Sequence, residues 1–344
     1  MKKKIRSLEF KNDELYLIDQ RILPQKYEKF ICKDYKDVEF AISDMVVRGA
    51  PAIGVTAAYG VVIAAIEFIE LPLNNFLKKM HEACDILNNS RPTAVNLMWA
   101  IRRMRALLPG SKSPIEILQK LRMEADQIAD EDVKTNKRMG HWGNTLIPDK
   151  ATILTHCNTG ALATVEYGTA LGVIRTAFDD GKDILVYADE TRPRLQGARL
   201  TAWELLQEGI PVKLIADNAA ASLIRDGKID LILVGADRIA SNGDSANKIG
   251  TFMLSVVAKV YNIPFYIVAP TTTIDHEIET GNQIEIEERS KEEITQINGI
   301  QIAPENIEVY NPAFDVTPNE NITAIITEKG IIKKPFKTNI LKLK

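Results

Sequence analysis

The chain has 344 residues, of which 45% are hydrophobic and 26% are charged, a composition typical of a globular protein with one large domain or two ordinary ones. Its formal net charge of −3 argues against a surface built to bind nucleic acid. Three widely spaced cysteines and four histidines, without a Cys-x-x-Cys pair, exclude a disulfide framework and argue against a structural zinc site.

Residues 1–145 are predicted to form a mainly helical domain. Short strands are expected within residues 7–22. Helical periodicity follows in residues 37–45, 52–68, 73–88, 94–108 and 113–139, and Thr93 is the predicted N-cap of the fourth helix. The apolar stretch 52–66 is shorter than the roughly 20 residues that span a bilayer, and no apolar signal region follows the basic amino terminus. We therefore expect a buried helix, no membrane partner and a cytoplasmic protein.

Residues 146–344 are predicted to form an α/β domain, because short apolar runs alternate there with helical stretches. The predicted strands are residues 152–155, 184–188, 212–216, 231–234, 265–269 and 324–327. The predicted helices between them are residues 161–178, 198–208, 219–226 and 248–261. This alternation indicates a doubly wound parallel sheet. The acidic stretch 274–302 is expected to be a surface excursion.

Cys157 and Asp237 follow two of the predicted strands, and the carboxyl ends of parallel strands share one crevice in which ligands bind. Each residue has a structural explanation, since a buried cysteine behaves as a small hydrophobe and an aspartate after a strand often caps a helix. The helix predicted from residue 161 would favour a reactive thiolate at Cys157. No helix is expected directly after Asp237, which favours a functional carboxyl. A thiol and a carboxyl together suit acid–base chemistry.

Several residues are candidates for binding a phosphorylated ligand. Arg48-Gly49-Ala50 precedes a predicted helix, and helix amino termini with glycine turns bind anions through their N–H groups. Lys248 is expected to begin a helix beside Asp237, and Gln196 suits sugar hydroxyls. Further cationic candidates are Arg91, Arg192 and Arg194. A surface ion pair is the structural alternative for each arginine, and a helix entry is the alternative for the stretch 192–197.

Two nucleotide-binding patterns are absent from the sequence. No Gly-x-Gly-x-x-Gly follows the first predicted strand, and no Gly-x-x-x-x-Gly-Lys-Ser/Thr occurs. His156 adjoins Cys157, so in an extended backbone its side chain points the opposite way and the two are not expected to form a hydrolase dyad.

The motifs together resemble those of the methylthioribose-1-phosphate isomerase family, within the wider group of translation initiation factor 2B alpha, beta and delta subunits. The matching segments are residues 48–54, 90–97, 155–160, 189–197, 235–238 and 247–251. They keep the family's order and spread over most of the chain.

The resemblance implies a Rossmann-like carboxy-terminal catalytic domain with a smaller helical amino-terminal domain that contributes substrate contacts. It implies Cys157 and Asp237 as the catalytic pair, with Asp237 as proton donor, a homodimer, and no metal or organic cofactor. The implied substrate contacts are Arg48, Gly49, Ala50, Arg91, Gln196, Asn247 and Lys248. The implied reaction converts 5-methylthioribose 1-phosphate to 5-methylthioribulose 1-phosphate in methionine salvage.

Two alternatives stay open at this stage. A related isomerase would act on 5-deoxyribose 1-phosphate or ribose 1,5-bisphosphate and differ in what surrounds carbon 5 of the sugar. A non-catalytic regulatory subunit of the initiation-factor type would act through protein contacts and would have no need of Cys157 and Asp237 together with Arg91 and Lys248.

Overall fold

The computed structural model describes residues 5–91 and 94–343, which divide into two compact units. Residues 5–91, 94–137 and 159–168 form one of them, called here the N-terminal unit. Residues 138–158 and 169–343 form the other, the C-terminal unit. The segment 159–168, which directly follows the loop of Cys157, thus groups with the N-terminal unit.

The N-terminal unit contains an antiparallel three-stranded sheet followed by helices. Its elements are β1 (Leu8–Lys11), β2 (Glu14–Ile18), β3 (Lys29–Cys32), α1 (Tyr35–Ser43), α2 (Ala50–Glu67), α3 (Leu73–Asn89), α4 (Val95–Arg105) and α5 (Pro114–Asn144), whose last turns belong to the C-terminal unit. All five predicted helices are present. Strand β3 was not predicted, and the N-cap predicted at Thr93 lies outside the described residues.

Helix α2 is the central element of the N-terminal unit. It is long and apolar enough to cross a membrane, but 78% of its residues are buried inside the protein. Small residues allow this packing: a Cβ added to Gly54 would lie 2.9 Å from the carbonyl oxygen of Asn96 in α4. The prediction of a buried, closely packed helix is therefore confirmed.

The C-terminal unit is built on a seven-stranded sheet. The strands of the whole unit, including those of its smaller sheets, are in chain order β4 (Lys150–Thr155), β5 (Asp183–Asp189), β6 (Val212–Ile215), β7 (Leu231–Val234), β8 (Arg238–Ala240), β9 (Ser245–Lys248), β10 (Phe265–Val268), β11 (Ile274–Asp275), β12 (Gln296–Ile297), β13 (Ile300–Gln301), β14 (Phe314–Thr317), β15 (Ala324–Thr327) and β16 (Gly330–Ile332). Its further helices are α6 (Ala170–Asp179), α7 (Ala202–Gln207), α8 (Ala220–Arg225), α9 (Thr251–Val260), α10 (Glu292–Thr295) and α11 (Phe336–Leu341).

The strand order of the large sheet is β16-β15-β10-β7-β4-β5-β6, with all six predicted strands parallel and β16 antiparallel at one edge. In chain order the parallel strands therefore run 3-2-1-4-5-6 across the sheet. The order reverses between β4 and β7, and this reversal is where open α/β sheets bind ligands.

Both faces of the sheet are covered, as the continuous apolar strands require. Ile153 belongs to one buried cluster with helices α6 and α7, and its neighbour Leu154 belongs to a second cluster with α8, α9 and α11. Leu233 and Val234 of β7 divide in the same way. The alternation of side chains along each strand thus supplies two cores.

Two predicted helices begin later than expected, and a third begins with an irregular turn. The helix predicted from residue 161 begins at Ala170, because Tyr167 and Gly168 have φ angles of 82° and 87° that a right-handed helix cannot include. The helix predicted from residue 248 begins at Thr251, after Gly250 with a φ of 102°. A π-helical turn at Gly197–Thr201 precedes α7.

Segment 159–168 is fixed to helix α5 by Asp132, whose carboxylate accepts the backbone N–H of Val165 at 2.8 Å. Burial raises the pKa of Asp132 from 3.8 to about 7. The hydrogen bond from Val165 lowers this pKa, but by less than burial raises it. Between these two values the folded protein retains a proton that the unfolded chain has lost. Stability is therefore expected to fall as the pH rises from about 4 to about 7.

The substitution Asp132→Asn should remove this dependence, because the amide oxygen can still accept from Val165 and carries no charge to bury. We expect the variant to be more stable than the wild type by about 4 kcal/mol at pH 8 and no more stable at pH 4. Urea unfolding at both pH values measures the difference, with Asp130→Asn, an exposed carboxylate on the same helix, as control. Equal pH slopes in wild type and Asp132→Asn would contradict the assignment.

Candidate active site

Cys157 and Asp237 follow the two strands at the reversal of the sheet order. Strand β4 leads into Cys157 and β7 leads into Asp237, and the strands pair directly, Ile153 with Leu231 and Leu154 with Ile232. The expectation that these two residues lie at the carboxyl ends of parallel strands is met, and the strands are immediate neighbours.

The backbone of Cys157 is held on both sides by threonine hydroxyls. Its N–H donates to Oγ1 of Thr191, which follows β5, at 2.9 Å, and Oγ1 of Thr201 donates to its carbonyl at 2.6 Å. These bonds fix Cys157 at a φ of 65°, in the left-handed region that few residues other than glycine adopt. Cys157 is only 8% exposed. A strained backbone supported by several hydrogen bonds is common where a side chain must be aimed accurately.

One expectation for Cys157 was wrong. No α-helix begins beside it, since the chain makes only a short 3-10 turn at Ala161–Ala163 before α6 begins at Ala170. The orientation of Cys157 rests on the hydroxyls of Thr191 and Thr201 and not on the amino terminus of a following helix.

A buried charged network supports the next residue, Asn158. Its side-chain amide donates to Oε1 of Glu204 at 2.8 Å and to Thr201 at 3.2 Å. Arg175 lies 3.6 Å from the other carboxylate oxygen of Glu204 and makes two hydrogen bonds to Glu208, of 2.6 and 2.8 Å. Buried charges are tolerated when paired in this way, and breaking such a pair is costly.

Asp237 is half-buried and begins an antiparallel hairpin formed by β8 and β9. Its N–H donates to the carbonyl of Ala246 at 2.9 Å, which brings the neighbouring Asn247 and Lys248 of β9 to the same region. The predicted turn at residues 242–244 connects the two strands of this hairpin. The carboxyl of Asp237 thus directly precedes one strand of the hairpin, and the cation of Lys248 ends the other.

Lys248 does not begin a helix, contrary to the prediction, because it is the last residue of β9, which pairs with β14. It is 6% exposed, donates to the carbonyl of Ala313 at 2.9 Å and lies 4.4 Å from the ring centre of Phe314. Asn247 is 4% exposed and donates to Oγ1 of Thr251 at 3.0 Å. Both side chains are therefore fixed before any ligand arrives.

Gln196 lies at the start of the π-helical turn and is 7% exposed, and its Oε1 has no hydrogen-bond partner among the described residues. A buried amide oxygen of this kind can accept a hydrogen bond from a sugar hydroxyl. The next residue, Gly197, lets this turn approach the end of β5 closely, since a Cβ at Gly197 would lie 1.6 Å from the carbonyl oxygen of Asp189. Gln196 is thus held at the end of β5.

The remaining predicted contacts belong to the N-terminal unit. Gly49 is the N-cap of α2, with a φ of 95°, and a Cβ there would lie 2.6 Å from the backbone of Ala163. Arg48 donates through Nε to the side chain of Gln20 at 3.1 Å, and Gln20 donates to the carbonyl of Leu162 at 2.7 Å. The first N–H groups of this 18-residue helix, Ala50 among them, suit an anion.

The other candidate arginines have different surroundings. Arg91 is half-buried in the connection between α3 and α4. Arg192 donates to the carbonyl of Ile294 at 3.0 Å, and Arg194 pairs with Glu293 at 2.8 Å. Both residues therefore hold the segment of α10, and Arg194 does so through an ion pair, which was the structural alternative for these arginines.

The sequence did not predict the role of His156, which lies between three chain segments. Its Nδ1 is 2.8 Å from Oδ2 of Asp189, and its Nε2 is 2.8 Å from the carbonyl oxygen of Ile249. Both ring nitrogens are thus occupied away from Cys157, as the alternation of the strand predicts. The only feature of the sequence that pointed to the pair of His156 and Asp189 was the position of Asp189 at the end of a predicted strand. The supporting Glu204 could have been noticed as a charge within an apolar helix.

His156, Asp189 and Asp217 bring three ligand-type atoms within 4.8 Å of one another. However, both carboxylate oxygens of Asp217 accept backbone N–H groups, from Thr191 at 2.6 Å and from Arg192 at 2.7 Å. The 2.8 Å separation between Nδ1 of His156 and Oδ2 of Asp189 is that of an ordinary hydrogen bond, with a proton between the two atoms. The hydrogen bonds of the cluster are therefore those of a structural network. The absence of metal and cofactor from the reaction stays a prediction.

Comparisons with known proteins agree on one family. The model of the Initiation factor 2 subunit family matches residues 46–334. A methylthioribose-1-phosphate isomerase of Thermoanaerobacter sp. (strain X514) is 70% identical, over 99% of this chain and 100% of that protein.

Two solved structures are also similar over nearly the whole chain. One is a 5-methylthioribose 1-phosphate isomerase from Pyrococcus horikoshii OT3, with a TM-score of 0.93 and 49% identity over 98% of this chain and 95% of the other. The second is described as subunit delta of the translation initiation factor eIF-2B from A. fulgidus. It has a TM-score of 0.89 and 46% identity over 98% of this chain and 99% of the other.

The support of Cys157 by Thr201 can be tested by removing one hydroxyl. Thr201→Val keeps the side-chain volume but leaves the carbonyl of Cys157 without its donor and removes one acceptor of the Asn158 amide, so we expect the free energy of unfolding to fall by about 1–3 kcal/mol. Thr201→Ser retains the hydroxyl, and its free energy of unfolding should fall clearly less. Urea unfolding monitored by fluorescence measures both variants. Equal losses in the two variants would show that the hydroxyl does not support the loop.

Proposed function

The chain belongs to the Initiation factor 2 subunit family, and we propose that it converts 5-methylthioribose 1-phosphate to 5-methylthioribulose 1-phosphate, an aldose–ketose isomerisation of methionine salvage. The observation that carries this proposal is the placement of Cys157 and Asp237 after neighbouring strands at the reversal of the sheet order. Full-length relatives at 70% identity bear the name of this isomerase.

Asp237 is the proton donor in this proposal. The substrate carries its phosphate on the anomeric carbon, so the ring does not open by itself to a free aldehyde, and an acid is needed at the ring oxygen. Asp237 follows the fully buried strand β7 and lies beside Asn247 and Lys248 of the hairpin. General acids of this kind contribute about 10²–10⁴ to the rate.

Cys157 acts where hydrogen moves from carbon 2 to carbon 1. In a proton route its thiolate is the base that forms an enediolate-like species, and in a hydride route it stabilises the charge that develops. A substrate deuterated at carbon 2 separates the routes. Loss of deuterium to solvent would contradict pure hydride transfer, whereas complete retention would count against the proton route.

The proposed substrate contacts fall into two chemical classes. Lys248, Arg48, Arg91 and the N–H groups at Gly49 and Ala50 suit the phosphate, because they offer charge and directed donors. Gln196 and Asn247 suit the sugar hydroxyls, and the partnerless Oε1 of Gln196 is the observation that supports this assignment.

A regulatory role remains the second candidate because the A. fulgidus relative is described as an initiation-factor subunit. The two roles are separated by assaying the purified protein with 5-methylthioribose 1-phosphate, 5-deoxyribose 1-phosphate and ribose 1,5-bisphosphate. Turnover of the first substrate with the highest kcat/KM supports the proposal. Preference for another of the three indicates a related isomerase, and no turnover of any indicates the regulatory role.

Three further assignments accompany this function. The strand order 3-2-1-4-5-6 supports a Rossmann-like class for the carboxy-terminal catalytic domain, residues 146–344. The anion-suited start of α2 supports a substrate-binding role for the smaller helical domain, residues 1–145. We also assign a cytoplasmic location, because the substrate is a phosphorylated metabolite and the chain has three free cysteines.

The catalytic assignment predicts a selective loss of activity. Cys157→Ser and Asp237→Asn should each lower kcat at least about a hundredfold, because each removes a group that transfers or stabilises charge at the reacting carbons. Cys84→Ser, another buried cysteine, and Asp230→Asn, at the opposite end of β7, are the matched controls and should retain activity. Full activity in either site variant would remove that residue from the mechanism.

The homodimer is proposed to form through α9, which exposes Phe252, Met253, Val256 and Val260. An exposed apolar helix face of this kind favours association. We expect the wild type to sediment at twice the chain mass of 38.4 kDa, and the double variant Val256→Lys, Val260→Lys to sediment as a monomer. The control Ile115→Lys, Met123→Lys changes two exposed apolar residues of α5. A dimeric α9 variant would place the interface elsewhere.

A further inference from the structure

We propose that His156 and Asp189 are a positioning pair, which fixes the Asn247–Lys248 segment relative to the strand that carries Cys157. This inference rests on the proposed isomerase function, because it assigns to the pair the placement of a substrate-binding segment. Neither residue is among the predicted catalytic or substrate-binding residues.

The imidazole of His156 joins three chain segments at the ligand-binding edge of the sheet. His156 ends the β4 segment, Asp189 is the last residue of β5, and Ile249 follows directly after Lys248. One hydrogen bond, from Nε2 of His156 to the carbonyl of Ile249, therefore joins the neighbour of Cys157 to the neighbour of Lys248. A shift in this bond changes the distance between the proposed catalytic thiol and the proposed phosphate-binding cation.

The fit around the ring is close. His156 is 2% exposed and Asp189 is 1% exposed. Gly250 packs against the ring, and a Cβ there would lie 3.0 Å from Cε1 of His156. Gly250 and Phe252 in turn donate their N–H groups to Asp315, at 2.7 and 3.0 Å, which fixes the start of α9. The imidazole thus packs against a turn, at Gly250, that is itself held by hydrogen bonds to Asp315.

The protons on the pair follow from the acceptors that surround it. A carbonyl oxygen accepts only, so Nε2 of His156 carries a proton and Nδ1 faces the carboxyl of Asp189. Burial lowers the pKa of His156, but the hydrogen bond and charge of Asp189 outweigh it and the pKa is raised overall. For Asp189 burial acts in the opposite direction and raises the pKa of the carboxyl. The pair therefore holds a proton between Nδ1 and Oδ2, and His156 remains a donor to Ile249.

A role for His156 in the chemical step does not fit this geometry. Both ring nitrogens are occupied by protein groups, and a general acid or base needs a nitrogen within reach of the substrate. The pair acts through the segment that it holds, which makes its expected effect a change in substrate affinity.

Two substitutions at His156 separate positioning from general stability. The side-chain nitrogen of glutamine reaches the place of Nε2 and can donate to Ile249, whereas that of asparagine reaches the place of Nδ1 and can donate only toward Asp189. We expect His156→Asn to raise KM for 5-methylthioribose 1-phosphate about tenfold, the equivalent of one lost hydrogen bond, and to change kcat less than about threefold. His156→Gln should keep KM within about threefold of the wild type. His141→Asn, an exposed histidine, is the control.

A second measurement does not depend on the substrate. Hydrogen–deuterium exchange of the backbone amides of residues 247–252 should be faster in His156→Asn than in the wild type and unchanged in His156→Gln. Thermal unfolding of both variants, with assays run well below their Tm, separates these effects from partial unfolding. Asp189→Asn, whose amide can donate to Nδ1, should keep both KM and exchange near the wild-type values.

Three results would overturn the inference. Equal changes of KM and exchange in the asparagine and glutamine variants would show that the bond to Ile249 does not matter. A hundredfold loss of kcat at unchanged KM in both variants would place His156 in the chemistry. Unchanged KM and unchanged exchange in His156→Asn would remove any positioning role. If the wild type does not turn over the sugar phosphate, the proposed function fails, and the exchange experiment still decides whether the pair fixes the segment.

Discussion

The direct pairing of β4 with β7 is the constraint on which the rest of the C-terminal unit depends. Two complete strand–helix units lie between these strands in the sequence, yet their backbones are hydrogen-bonded neighbours. The chain leaves β4 toward one edge of the sheet and β7 toward the other, so the loops at their carboxyl ends diverge and leave a crevice. Cys157 and Asp237 are the residues that these two loops deliver.

Accurate placement at this crevice depends on buried polar groups more than on apolar packing. Thr191 and Thr201 hold the backbone of Cys157, and Glu204 holds the adjacent Asn158. Each of these bonds contributes little net stability, but an unmade bond in a buried site costs the full desolvation of the polar group. Alternative positions of the loop are therefore strongly disfavoured, and a thiol that must meet a small substrate is held in one orientation.

Glycines supply the second condition, which is the close approach of backbone segments. Gly197 lies against the end of β5 at a distance that no side chain would allow, and Gly250, with a φ of 102°, lies against the ring of His156 where a Cβ would be only 3.0 Å from Cε1. Gly49 meets the backbone of Ala163 in the same way within the N-terminal unit. All three positions lie beside residues proposed to bind substrate, so the glycines set how close those residues come to their supports.

Periodicity and turn chemistry are local properties, so the five helices of the N-terminal unit, the six parallel strands of the large sheet and the residues that follow those strands could be predicted from the sequence. The sequence predicted α2 as a buried helix and Cys157 and Asp237 as strand-end residues on this basis. It did not determine that Lys248 ends a strand, that α6 begins only at Ala170, or that His156 joins Asp189 to Ile249. Only the tertiary structure decided these points, because each depends on partners between 33 and 93 residues away or on backbone angles imposed by long-range packing.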